Sequence, residues 1–291
     1  METAELLKKV RKIEIKTRGL SNQIFSGEYH SAFKGRGMAF SEVREYTPGD
    51  DVRTIEWNVT ARLNTPYVKV FEEERELNVV ILVDVSASGK FGTQKQFKQD
   101  LITELCAVIA FSASTNNDKI GVIFFSDRIE KFIPPKKGRS HVLRIIRELI
   151  NFKSTGTGTD ISQALKFVTN AIKKKSIAFL ISDFIADDFG DAIKIANRKH
   201  DLVALRIFDK AERELPKIGL IKMRDNETGK TIWVNTNSES FRKNYATKSK
   251  AFEKKLNDIF IRAGVDHTEI ESVKGYIKPL MNLFKRRESK R

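Results

Sequence analysis

Two runs of the chain share one design, an almost unbroken hydrophobic stretch closed by a carboxylate: LNVVILVD, from Leu77 to Asp84, and SIAFLISD, from Ser176 to Asp183. A strand with no polar side must be covered on both faces. That requirement points to central strands of a parallel sheet wrapped by helices. DLVALRIF, from Asp201 to Phe208, has the same character. Helical periodicity fills the spaces between these runs. Residues 94–114 place Phe97, Leu101, Leu105, Val108 and Phe111 on one face, and helical patterns follow at 140–151, 161–174 and 188–198. KIGVIFFS and EKFIPP lie close enough for a hairpin, and the prolines ending the second suit an antiparallel edge. The expected fold is therefore α/β: a doubly wound, mostly parallel sheet with one antiparallel edge strand.

Two departures from this rhythm are expected. Around residues 213–236, IGLIKMRD and KTIWVN flank Asn226-Glu-Thr-Gly229 and read as an inserted hairpin. A long helix then spans 238–263, with Gly264 as its stop, followed by HTEIES and a last helix near 276–284. Residues 1–76 read as a separate region, an N-terminal amphipathic helix and a small β-rich appendage with turns at Gly35-Arg-Gly37 and Pro48-Gly-Asp50. Residues 77–291 form the main domain.

Composition narrows the function classes. The chain is 40% hydrophobic and 31% charged, as expected for a soluble globular protein. One cysteine, Cys106, sits in the apolar run LCAVIAF and reads as core, so no disulfide framework exists. The charged start lacks a signal or anchor pattern and no later run reaches spanning length, which leads to the expectation of a cytoplasmic protein. Fifty-three Lys and Arg against 38 Asp and Glu give a net charge of +15. The basic residues are dispersed, apart from Lys173 to Lys175 and the final KRRESKR, so solvated faces and a terminal tail account for them. At most they imply a weak peripheral membrane or polyanion contact, with no sequence-specific nucleic-acid binding.

In open parallel sheets ligands bind beyond the carboxyl ends of the strands, where strand order reverses. Asp84 and Asp183 are the carboxylates placed there. Asp84 opens DVSAS, so Ser86 and Ser88 follow at two-residue intervals. The loop STGTGTD supplies Thr159 ahead of the helix beginning at Ile161. Carboxylates and hydroxyls are hard oxygen donors that suit Mg²⁺, with Ca²⁺ or Mn²⁺ as competitors. His30, His141, His200 and His267 show no ligand spacing. Each candidate alone is also ordinary cap or turn chemistry; the recurrence of oxygen ligands on three loops at one sheet edge gives the set its meaning.

These motifs carry a resemblance. DVSAS resembles the DxSxS element of the von Willebrand factor A metal-ion-dependent adhesion site, GTGTD resembles its threonine element, and ISD resembles its final aspartate element, all in family order. The resemblance implies a von Willebrand A-type fold in which Ser86 and Ser88 touch the metal, Thr159, Asp84 and Asp183 act directly or through water, and one position stays open for a partner's carboxylate. The block GRGMAFSEVREYTPGDDVRTIEWNVTARLNTPYVKVFEEERE, the ETGK turn and the closing AGVDHTEIES resemble the bacterial family called domain of unknown function 58, from about residue 20 onward. Many members of that family are associated with MoxR-type AAA+ ATPases, which makes such an ATPase the implied partner. Some members carry membrane helices, a feature this sequence lacks. Within the block, Arg36, Arg44, Asp50, Asp51, Arg53 and Trp57 could form a recognition surface or, as the blander alternative, ion pairs and turns that fix the appendage.

Three functions follow from this reading. A metal-dependent protein-interaction module, without catalysis, leads. A Mg²⁺-dependent hydrolase or phosphoryl-transfer enzyme is the alternative, but GxxxxGK[ST] is missing and DVSAS lacks a second aspartate two residues after Asp84. Polyanion binding rests on net charge alone.

Overall fold

The computed structural model describes residues 11, 13–14, 38–73, 77–86, 98–156, 158–224 and 231–289. The chain divides into two units, one of Met1–Ala32 with Asn78–Arg291 and one of Phe33–Leu77. The expected division at 76/77 thus differs at its N-terminal side, where the first 32 residues group with the larger unit. Packing accounts for this: Ile13 is buried, and Arg139 donates to Glu14 at 2.8 Å.

The smaller unit is a two-stranded antiparallel ribbon, β1 (Met38–Glu45) with β2 (Tyr67–Glu73). A 3-10 turn (Val52–Thr54) and a seven-residue helix, α1 (Trp57–Leu63), connect them. The sequence offered only turns there, because a helix so short carries no repeating apolar face. Glu56 caps α1 by accepting from the Asn58 N–H, and Asn64, at φ 56°, ends it in the left-handed region. Arg44 forms a forked pair with Asp50 at 2.8 and 2.6 Å, holding that carboxyl well below the usual range. Asp51 caps the 3-10 turn, and Trp57 is 69% exposed. Arg36 lies outside the described residues.

The larger unit carries a six-stranded sheet: β3 (Asn78–Asp84), β4 (Lys119–Phe125), β5 (Ile129–Lys136), β6 (Ile177–Ser182), β7 (Asp201–Phe208) and β10 (Asp266–Glu271). Their order is β10-β7-β6-β3-β4-β5, all parallel except β5, which pairs antiparallel with β4 at the edge. This is the doubly wound α/β arrangement, and its antiparallel strand is the one carrying Pro134 and Pro135 just before its end at Lys136. β3 and β6 are buried along almost their whole length, as strands covered on both faces must be.

Side-chain alternation divides the core. Val80 and Leu82 face α4 (Ile161–Ala171), α5 (Gly190–Lys199) and α7 (Glu239–Ala263), packing against Leu165, Ile193 and Phe260. Val79, Ile81 and Val83 face the other way. There α2 (Lys98–Thr115), buried around most of its circumference and holding Cys106, packs with α3 (Arg139–Asn151). Each fully buried Val, Ile or Leu contributes about 1.5–3 kcal/mol of burial free energy. α4 stops at Ala171 instead of 174, where Ile172 turns extended, so Lys173 to Lys175 stand outside it. Ser238 caps α7 by accepting from the Phe241 N–H, and Gly264 ends it at φ 65°. β8 (Leu220–Arg224) and β9 (Thr231–Asn235) form the separate hairpin, with α6 (Lys210–Arg213) before it and α8 (Ile277–Ser289) closing the described chain. Among the described residues no helix is long and apolar enough to cross a membrane.

Candidate functional site

The order β10-β7-β6-β3-β4-β5 reverses direction between β3 and β6. From β3 the chain moves outward toward β4 and β5, and from β6 it moves the other way. At that switch point Asp84 ends β3, and Asp183 immediately follows β6. Both carboxylates are only 6% exposed.

Local hydrogen bonds fix Asp84. Its Oδ2 accepts from the Ser182 hydroxyl at 2.6 Å and its Oδ1 from the Ser86 N–H at 3.0 Å, with the Ser86 side chain adding a further hydrogen bond. These contacts stabilise the charged form. Burial and the neighbouring Asp183 charge outweigh them, so the Asp84 carboxyl is pushed up to about 6. Two buried carboxylates side by side create a demand for positive charge.

The Asp183 turn is strained. Phe184 stands at φ 62°, a region that costs a bulky L residue about 1–2 kcal/mol. The conformation lets the Ile185 N–H donate to Asp183 Oδ1 at 3.1 Å and the Phe184 N–H donate to Ser182 Oγ at 2.9 Å. The fully buried Phe184 ring, 5.1 Å from Phe260 and 5.9 Å from Phe189, offsets the cost. Ser182 therefore links the two aspartates, donating to one and receiving the backbone that follows the other.

A cation of the chain's own reaches the site. Lys98, at the start of α2 and 2% exposed, donates to Asp183 Oδ2 at 3.5 Å and forms an ion pair with Glu212 of α6. Burial raises the Glu212 carboxyl while the Lys98 charge draws it down, with a net upward shift.

At the end of β4, the neighbour of β3, the loop bearing Thr159 is held by Glu130. The Glu130 carboxylate accepts from the Gly156 N–H at 2.7 Å, the Thr155 N–H at 3.0 Å, and the hydroxyls of Thr155, Ser126 and Ser154 at 2.7, 2.8 and 2.9 Å. Burial works against the charge, but these donors prevail and hold the carboxyl at about 2. Gly156 packs so closely that a Cβ there would lie 2.1 Å from Ser126 Oγ, and the Asp160 N–H donates to the Ser126 carbonyl at 2.8 Å. Asp160 then caps α4 through the Gln163 N–H at 2.8 Å.

The structure thus brings Asp84, Ser86 and Asp183 together and places half-buried Thr159 at the same edge, beyond β4. Ser88 lies outside the described residues. A small cleft of about 40 Å³ opens beside Asp84 and Ser86, with Thr103, Phe152 and Ser154 in its wall. Among the described residues no group of three or more His, Cys, Asp or Glu gathers in a metal-holding arrangement, so a metal here would need the hydroxyls as well. The donors fit a hard cation: two carboxylates in mutual repulsion and a serine hydroxyl, all oxygen. Sequence reading missed Ser182, Lys98, Glu212 and Glu130. Only Ser182 had a local signal, its place in ISD.

Residues 42–255 match the family described as protein of unknown function DUF58. The chain belongs to that family. The matched span contains Asp84, Ser86, Lys98, Glu130, Thr159, Asp183 and Glu212. This DUF58 protein is 26% identical over 288 residues to the uncharacterized protein Rv1480 of Mycobacterium tuberculosis and to Mb1516 of Mycobacterium bovis, covering 97% of this chain and 86% of each relative. Among solved structures, BatB from Bacteroides thetaiotaomicron aligns with a TM-score of 0.49 at 16% identity, covering 73% of this chain and 99% of that one. Proximal thread matrix protein 1 from the mussel byssus, solved with a zinc-occupied MIDAS motif, aligns with a TM-score of 0.36 at 20% identity over 45% of this chain and 38% of its own.

Proposed function

We propose that this DUF58 protein is a metal-dependent protein-interaction module, in which Asp84, Ser86 and Asp183, joined by Ser88 and Thr159, hold a divalent ion. Mg²⁺ is the expected ion, with Ca²⁺ or Mn²⁺ competing for the same oxygens. The observation that carries this reading is the pair of buried aspartates at the switch point, where burial and then the Asp183 charge push Asp84 up to about 6. A dication relieves that repulsion. When bound it also supplies an electrophilic position to which a carboxylate from another protein can attach. The chain's own groups orient the ligands: Ser182 aims Asp84, and the Phe184 turn presents Asp183.

No catalytic step belongs to this reading. The position two residues after Asp84, where an aspartyl-phosphate enzyme would carry a second aspartate, is Ser86. The partner we infer is a MoxR-type AAA+ ATPase offering an Asp or Glu, an inference that draws on the family resemblance, with both proteins in the cytoplasm. Affinity capture from native cytoplasm tests the reading with wild type and the Asp84→Ala/Ser86→Ala variant, each in Mg²⁺ and in chelator. The ATPase should be recovered by wild type in Mg²⁺ alone. Equal recovery in all four arms would reject metal-gated recruitment, and phosphatase or nucleotidase turnover lost on Asp84→Ala would replace it with an enzyme.

A further inference from the structure

A lysine buried among acids usually marks a charge that the fold cannot leave unbalanced. Lys98 is 2% exposed, and its ammonium is shared between two carboxylates from different parts of the chain. One is Asp183, at the long distance of 3.5 Å. The other is Glu212, in much closer contact. Glu212 is set by the Asp209-capped helix α6, whose next residue, Arg213, is itself ion-paired with Glu253 of α7 and Glu269 of β10. The longer contact is therefore to a residue at the switch point, and the shorter ion pair is to a side chain on a helix that Arg213 ties to α7 and β10.

We propose that Lys98 is an internal counter-ion that competes with a divalent cation for Asp183, and that Glu212 is the holder to which the ammonium retires when the cation binds. The inference rests on the metal-binding reading above. In the metal-free protein Lys98 neutralises part of the charge at Asp183. A dication at the same carboxylate meets a like charge only a few ångströms away, and the asymmetry of the two contacts lets Lys98 give up Asp183 while keeping Glu212. The lysine thereby sets the threshold of divalent concentration at which the site fills, and Glu212 sets how readily the lysine yields.

Two opposite effects follow. Without the ammonium, Asp183 loses its competitor and metal binding tightens. Without the Glu212 charge, Lys98 is drawn onto Asp183 and binding weakens. Most of the second effect acts through the lysine, so it should shrink sharply when the lysine is gone, leaving only the direct pull of the Glu212 charge, which also reaches Asp183. A structural role for either residue would weaken binding in both variants and would couple them in no such way.

The test is Mn²⁺ binding to the full chain, followed by electron paramagnetic resonance of the free ion, for wild type, Lys98→Met, Lys98→Arg, Glu212→Gln, the Lys98→Met/Glu212→Gln double variant and Asp84→Asn. Thermal unfolding in chelator confirms that each is folded. We expect Lys98→Met to bind about tenfold tighter than wild type and to melt lower in chelator, since it leaves buried carboxylates uncompensated. Lys98→Arg, which keeps the charge, should stay within about threefold of wild type. Glu212→Gln should bind about fivefold weaker in the wild-type background but within about twofold in the Lys98→Met background. Equal or weaker binding by Lys98→Met, or the same loss from Glu212→Gln in both backgrounds, would overturn the counter-ion while leaving the metal site standing. If Lys98→Met does not fold, Glu212→Gln against Lys98→Arg decides, because a fivefold loss absent from Glu212→Gln also refutes the proposal. If Asp84→Asn binds Mn²⁺ as wild type does, or no variant binds it, the metal reading fails first and the counter-ion fails with it.

Discussion

Removing the charge of Glu130 tests how the sheet edge holds the Thr159 loop. Its carboxyl stands at about 2 against an ordinary 4.5, because the donors of Gly156, Thr155, Ser126 and Ser154 outweigh the burial that opposes the charge. At 1.36 kcal/mol per unit that difference would correspond to about 3 kcal/mol in a dry site, and solvent screening of a mostly water-facing group leaves about 1 kcal/mol. A depressed carboxyl stabilises the fold above the unfolded value and loses that contribution as pH falls through the folded one. Glu130→Gln should therefore be about 1 kcal/mol less stable than wild type in urea unfolding near neutral pH, and the gap should close as pH falls from about 4.5 toward about 2. The same variant should bind Mn²⁺ about three- to tenfold more weakly, as the loop carrying Thr159 loosens. A gap below about 0.5 kcal/mol, or one that does not change with pH, would refute the claim that this carboxylate anchors the loop.

Other outcomes follow from single positions. At Gly156 a methyl group would lie 2.1 Å from Ser126 Oγ, 2.2 Å from Asp127 Oδ1 and 2.8 Å from Ser126 Cβ, so Gly156→Ala should cost about 1–3 kcal/mol in chemical denaturation; an unchanged midpoint would show that the loop yields freely. Burial, helped by Lys199, lowers His200 to about 4, so the unfolded chain takes up its proton first. That residue should withdraw about 3 kcal/mol of stability as pH falls from about 6.5 to about 4, and its imidazole should titrate near 4 by NMR; titration near the ordinary value would remove it as an acid-sensitive element.

The framework was legible because burial on both faces leaves a signature in one dimension. LNVVILVD and SIAFLISD could only be central strands, and the prolines of EKFIPP could only lie at an edge. The aspartates were legible for the same reason, since they terminate those strands at the switch point. What surrounds them was not. Lys98 meets Asp183 across 85 positions, Ser182 meets Asp84 across 98, and Glu130 holds a loop 24 to 26 positions away. Periodicity reports which residues are buried, and a charged side chain at a helix start or in an edge hairpin looks solvated until the fold supplies its partner. Phe184 was hidden in another way, because a left-handed phenylalanine contradicts local preference and persists only through tertiary packing against Phe189 and Phe260.

The most direct measurement is the anomalous difference density of a crystal grown or soaked with Mn²⁺. One peak bonded to the Ser86 hydroxyl and held by Asp84 and Asp183 directly or through water, absent from Asp84→Asn crystals, is the predicted result. A protein that takes up no ion between those aspartates at millimolar Mn²⁺, or binds it at a surface carboxylate elsewhere, would contradict the account.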